Sequence, residues 1–216
     1  MAAALFDMDR TLVRKETASI YVRYMRARGG ATWGDSLRVF SWVAQYTLGV
    51  LDAHEVAARA LRSLAGTSET VLSARCDDWF RREVEVHVCD AGRRAVETHK
   101  ARGDVVAIVT GASSYHARPL GRRLGIEHIV ASELEVGVDG CFTGRPASPL
   151  CYGEGKVTRA KALAERLSFR IEEATFYSDS LTDLPLLEAV RTPVVVNPDP
   201  RLARVALRRG WRIERW

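Results

Sequence analysis

The chain has 216 residues, 47% hydrophobic and 27% charged. That suits one mid-sized domain or a core with an insert, and it excludes a disordered or low-complexity chain. The formal charge of +5 is too mild to argue for a nucleic-acid partner. The longest uncharged stretch, residues 39–51, falls short of the roughly 18 apolar residues that a membrane span needs.

The N-terminus runs into a strand pattern without a basic leader or cleavage site, which predicts a cytoplasmic protein. Cys76, Cys89, Cys141 and Cys151 show no CxxC spacing and no disulfide framework. Taken in chain order, an apolar run at residues 2–6 reads as a buried strand ending at Asp7. Residues 14–88 hold no convincing strand. Helices are predicted there over 19–28, 33–50, 54–64 and 68–85. A helix over 91–102 precedes a second strand, 105–109, that ends at Thr110-Gly111. After a helix over 115–124, stopped by Gly125, residues 128–130 form a weaker strand. Residues 132–144 alternate in polarity ahead of Asp139-Gly140, a hairpin signal. A helix over 156–167, a strand over 174–177 ending at Ser178-Asp179, and a helix over 184–190 follow. The chain closes with a strand over 193–196, a helix over 200–209 and an edge strand, the basic tail from Arg201 to Trp216 carrying solvated arginines.

Alternating strands and helices predict an α/β fold around a parallel sheet. The core is expected to comprise residues 1–14 and 89–216, and residues 15–88 an inserted helical cap. Ligands of such folds bind beyond the carboxyl ends of strands, where the strand order reverses. Asp7, Thr110 and Asp179 all stand at such ends.

The chemistry follows from residue type. Asp7 and Asp9, two apart beyond a strand, can supply a nucleophile and a proton-transferring partner. As a plain turn, the same pair would mean nothing more than Asp's preference for turns. Asp179 and Asp183 bring two further carboxylates, and clustered carboxylates repel unless a hard cation such as Mg2+ sits among them. Asp183 also suits a helix start. Thr110 and Gly111 offer a hydroxyl and backbone N–H groups to a phosphoryl oxygen. Lys156, after Gly153-Glu154-Gly155, can pair with phosphate and carboxylate, or else be a solvated first-turn lysine.

In this order, Asp7-x-Asp9-x-Thr11, Thr110, Lys156 and Asp179-x-x-x-Asp183 resemble the haloacid dehalogenase superfamily of phosphohydrolases over nearly the whole chain. The resemblance implies a Rossmann-like three-layer core with a helical cap of the first class, in the phosphoserine phosphatase-like branch. It implies an aspartyl-phosphate on Asp7, Asp9 as general acid/base, and Thr110, Gly111 and Lys156 as phosphate ligands. It places Mg2+ on Asp7, the Asp9 carbonyl and Asp179, assisted by Asp183. Glu16, seven residues after Asp9, matches the glutamate that reads substrate in phosphoserine phosphatases, though a helix-start glutamate is an equal alternative. This chain departs from that pattern at Ser178-Asp179-Ser180, where glycines usually flank the aspartate in phosphoserine phosphatases. The implied activity is hydrolysis of a small phosphomonoester, such as phosphoserine or histidinol phosphate. The alternatives are phosphotransfer from the same intermediate and a non-catalytic phosphate- or lipid-sensing protein. The oligomeric state is left open.

Overall fold

A computed structural model describes residues 2–30, 61–147 and 149–216. Six parallel strands form its sheet. They are β1 (Ala3–Phe6), β2 (Val105–Ser113), β3 (His128–Ser132), β6 (Thr175–Ser178), β7 (Thr192–Val196) and β8 (Arg212–Glu214). Their spatial order is β3-β2-β1-β6-β7-β8. The order reverses at β1, which has β2 on one side and β6 on the other. The reversal places Asp7 and Asp179 just past adjacent strand ends, as the α/β pattern predicts, with Thr110 beside them inside β2, two residues beyond the Phe6↔Ile108 pair.

Side-chain alternation sorts the core into two layers. Ala4 and Phe6 of β1 pack with Val106 and Ile108 of β2 against α1 (Thr17–Ala27), α3 (Asp90–Ala101) and α4 (Ser114–Leu124). Ala3 and Leu5 pack with Ala107 and Val109 against α5 (Glu154–Leu167), α6 (Leu184–Ala189) and α7 (Pro200–Arg209). With both faces covered, the central strand β1 and the first half of β2 are continuous apolar runs rather than alternating ones. The tail takes the expected form: Leu202 and Ala206 of α7 are buried and its arginines exposed. Among the described residues no helix is long and apolar enough to cross a membrane.

Two elements differ from expectation. The predicted helix over 68–85 becomes α2 (Glu69–Trp79), a π-helical turn at Phe80–Val84 and a 3-10 turn at Glu85–His87. The consecutive Trp79 and Phe80 are both buried there, which the wider turn accommodates. Strand β2 runs on to Ser113 instead of stopping at Val109. Between Val109↔Val130 and Ser113↔Ser132, three residues of β2 oppose Ala131 alone, so Thr110 and Gly111 sit in a bulge. The hairpin forms, as β4 (Leu134–Val136) with β5 (Phe142–Pro146), and is bonded to the segment before α2. Phe142 N donates to Thr67 O at 2.9 Å and Gly66 N to Phe142 O at 2.9 Å. The expected helix over 33–50 and most of that over 54–64 lie outside the described residues.

The polypeptide between β1 and β2 departs and returns at one place. Arg14 N donates to His87 O at 2.9 Å, and Cys89 N to Leu12 O at 2.8 Å.

Candidate active site

Buried side chains from separate stretches meet beyond β1 and β6. Lys156 is 3% exposed. Its Nζ donates to Asp7 Oδ1 and to Asp183 Oδ2, each at 2.7 Å. Ser178 Oγ donates to the same Asp183 oxygen at 2.7 Å. The solvated-lysine reading is therefore wrong. Helix α5 begins at Glu154, two residues earlier than expected, which turns Lys156 inward. Asp183 occupies the N-cap position of α6 without making a side-chain cap bond, because its carboxylate serves Lys156 and Ser178 instead.

Gly155 is what brings Lys156 so close. A Cβ at that position would run into the carbonyl oxygen of Leu150. Gly155→Ala should destabilise the fold by about 2 kcal/mol or more and pull Lys156 out of register. Thermal unfolding and phosphatase assay of the variant check this. An unchanged melting temperature with full activity refutes it.

Asp9 lies beside the cluster and accepts Thr17 N–H at 2.6 Å on its Oδ1, so the first turn of α1 fixes it. Asp179 is buried and faces Arg10, whose Nε stands 3.4 Å from its Oδ2. Asp179 is also tied through its backbone: Asp199 N donates to Asp179 O at 3.1 Å, while Asp199 Oδ2 accepts Leu181 N–H at 3.1 Å. Thr110 is buried, and its Oγ1 accepts Ala112 N–H at 3.2 Å inside the β2 bulge. Ser132 Oγ donates to Gly111 O at 3.0 Å, holding the bulge open beside β1. Thr110 and Gly111 thus lie in the bulge of the neighbouring strand and take no part in the Asp–Lys hydrogen bonds. Glu16 precedes α1 at its N-cap position, with no side-chain cap bond.

The electrostatics are those of an acidic pocket with too little positive charge. Burial raises Asp7 well above the usual carboxylate range; Lys156 opposes this, while Asp183, Asp179 and Asp9 add to it. Burial likewise raises Asp9 against its bonds to Thr17. Asp179 is pushed up to about 7 by burial, with Arg10 pulling down and Asp183 and Asp9 pushing up. Glu16 is raised by desolvation and then by Asp9, with Arg10 opposing. Burial by itself would lower Lys156; Asp183 and Asp7 outweigh it and hold the ammonium above its usual range.

Four aspartates therefore face two cations, Lys156 and Arg10. Among the described residues no three acidic, imidazole or thiol side chains are arranged to encase a metal ion unaided. The oxygen donors nonetheless suit a hard cation such as Mg2+, which commonly takes one or two carboxylates and fills its remaining positions with water and substrate phosphate.

Sequence reasoning missed three contributors. Ser178 lies inside the fourth motif, yet its hydroxyl contact with Asp183 has no local signature. Thr17 acts through its backbone N–H, which no side-chain pattern reveals. Arg10 is one arginine in an arginine-rich chain. Its signal is conformational: with φ at 53°, a left-handed value uncommon for a side-chain-bearing residue, it turns toward Asp179.

Residues 4–188 match the family model of haloacid dehalogenase-like hydrolases. A phosphoserine phosphatase of Mycobacterium tuberculosis is 34% identical over 216 residues, covering 98% of this chain and 70% of that protein. A histidinol-phosphatase of Neisseria meningitidis serogroup C is 30% identical over 212 residues, with 96% of each chain covered. The crystal structure of a Bordetella pertussis Tohama I protein of unknown function superposes with a TM-score of 0.89 at 32% identity, covering 98% and 97% of the two chains.

Proposed function

The chain belongs to the haloacid dehalogenase-like hydrolases and is a phosphomonoester hydrolase, and on that premise we propose a reaction through Asp7 on a small, amine-bearing substrate. The observation that carries this reading is the single ammonium of Lys156 held 2.7 Å from both Asp7 and Asp183. Lys156 engages Asp7 through Oδ1 and fixes the carboxylate plane, so the second oxygen can be presented to phosphorus. A phosphoryl group bound there would meet the Lys156 charge and the hydroxyl and backbone of Thr110 and Gly111.

In the proposed course, Asp7 attacks phosphorus in line with the leaving oxygen, and an aspartyl-phosphate forms as the phosphorus–oxygen ester bond breaks. Asp9, whose raised carboxyl favours the protonated form, gives its proton to the departing alkoxide. It then takes a proton from water as that water cleaves the acyl phosphate and restores Asp7. Asp183 acts through Lys156. Mg2+, when bound, would be held by Asp7 and Asp179 with the Asp9 carbonyl, and it would neutralise charge on the transferring phosphoryl group.

The leaving group is read by Glu16. This carboxylate precedes the helix whose first turn holds Asp9, makes no cap bond, and has Asp9 as an unfavourable neighbour. A substrate amine would relieve that repulsion. Both named relatives, a phosphoserine phosphatase and a histidinol-phosphatase, act on amine-bearing phosphomonoesters. The four cysteines are free thiols, in keeping with a cytoplasmic place of action.

Release of inorganic phosphate from phosphoserine, histidinol phosphate, glycerol phosphate and an aryl phosphate, with and without Mg2+, tests the reading. Turnover of the amine-bearing pair above the others supports it. Glu16→Gln should lower kcat/KM on that pair about 10- to 100-fold, as expected for losing one charge-assisted contact, and leave glycerol phosphate nearly unchanged. Equal losses on all substrates refute the amine assignment.

A further inference from the structure

Two cations serve the acidic cluster, and they serve it differently. Lys156 is buried and touches two carboxylates at 2.7 Å, the distance of a strong charge-assisted bond. Arg10 lies 3.4 Å from Asp179, beyond that range, with its side chain 53% exposed while that of Asp179 is only 8% exposed. The first arrangement is fixed. The second is a loose contact from a solvent-facing arm onto a buried carboxylate. The backbone of Arg10, in the left-handed region between Asp9 and Thr11, is what turns the arm that way.

We infer that Arg10 is a placeholder cation: it screens Asp179 in the metal-free protein and yields that carboxylate when a divalent ion arrives, and so sets the metal affinity of the site. The inference rests on the proposed use of Asp179 as a ligand of Mg2+. An ion on Asp179 must displace the guanidinium Nε or sit beside it as a like charge, and either raises the dissociation constant. The flexible, half-exposed side chain has solvent to retreat into, and Glu16 offers it an opposite charge nearby. Lys156 has no such freedom, being held between Asp7 and Asp183.

The test is direct Mg2+ binding in phosphate-free buffer, by calorimetry and by the Mg2+-induced rise in melting temperature. It compares wild type with Arg10→Gln, Arg10→Lys and Asp179→Asn, each verified as folded by circular dichroism. Arg10→Gln keeps a side chain at the left-handed position and removes only the charge. It should bind Mg2+ about tenfold more tightly than wild type and show a larger Mg2+-induced rise, while Arg10→Lys stays near wild type. Equal or weaker binding by Arg10→Gln, with Asp179→Asn binding poorly, overturns the placeholder role and leaves the metal reading standing. Wild-type protein that binds no Mg2+ at millimolar concentration, or Asp179→Asn that binds it normally, overturns both.

Discussion

Replacing Asp7 with Asn is expected to abolish phosphate release from every substrate, by at least about 10⁴-fold in kcat, while the protein remains folded. The change is isosteric, so packing beyond β1 is kept. An amide oxygen is a poor nucleophile toward phosphorus and cannot form the acyl phosphate. Stability should not suffer. Asp7 is a buried carboxylate raised by desolvation and by three neighbouring aspartates, with only Lys156 in its favour. Neutralising it removes repulsion, and Lys156 retains Asp183. The expected melting temperature is therefore equal to that of wild type or higher. Phosphate release, circular dichroism and trapping of the acyl phosphate with hydroxylamine report on the three parts of the claim. Hydroxamate should form on the wild-type protein during turnover and not on the variant. Wild-type turnover by Asp7→Asn would show that another group attacks phosphorus. Product analysis with added alcohols separates hydrolysis from phosphotransfer, since both share the intermediate.

Lys156→Met should have the largest effect on stability. Methionine has nearly the same length, so little volume is lost and the deficit is one of charge. Removing one partner of a buried ionic cluster typically costs about 3–5 kcal/mol, because the remaining charges stay buried without compensation. Here two carboxylates lose their shared cation. The pH dependence follows from the sign of the shift. Asp7 is already raised in the folded protein, and Lys156 is what lowers it, so the variant's Asp7 is raised further. A carboxyl raised on folding binds a proton that the unfolded chain has released, so stability falls as pH climbs from the unfolded value through the folded one. Urea unfolding at pH 5 and pH 8 should therefore show a larger gap between wild type and variant at pH 8. The same gap at both would mean that shape, not charge, explains the loss. Activity should vanish at both.

Much of the core was legible because two-sided burial leaves a strong mark. Residues 2–6 and 174–177 are apolar on both faces, and the structure packs Leu5 and Phe6 into opposite layers. The ends of those strands exposed Asp7 and Asp179 to inspection. Lys156 was visible as a candidate but not as a buried one, since its burial depends on Gly155 passing close to Leu150. The extension of β2 was hidden because a bulge is a mismatch between two strands and has no signature in either alone. Arg10 was hidden because an ion pair between residues 10 and 179 exists only once β1 and β6 are neighbours. The expected division into core and cap rests on the sequence pattern, and the structure adds the paired crossings at Leu12–Arg14 and His87–Cys89.

Those paired crossings set how freely the intervening stretch can vary. Once two points of a chain are tethered together, the entropy of closing the loop between them grows only with the logarithm of its length, about 0.6 kcal/mol for each doubling. The sequence between the end of α1 and the start of α2 could thus lengthen or shorten at small cost in closure, whereas α1 and the turn at Phe80–Val84, which pack with β1 and fix Asp9, could not be exchanged so freely.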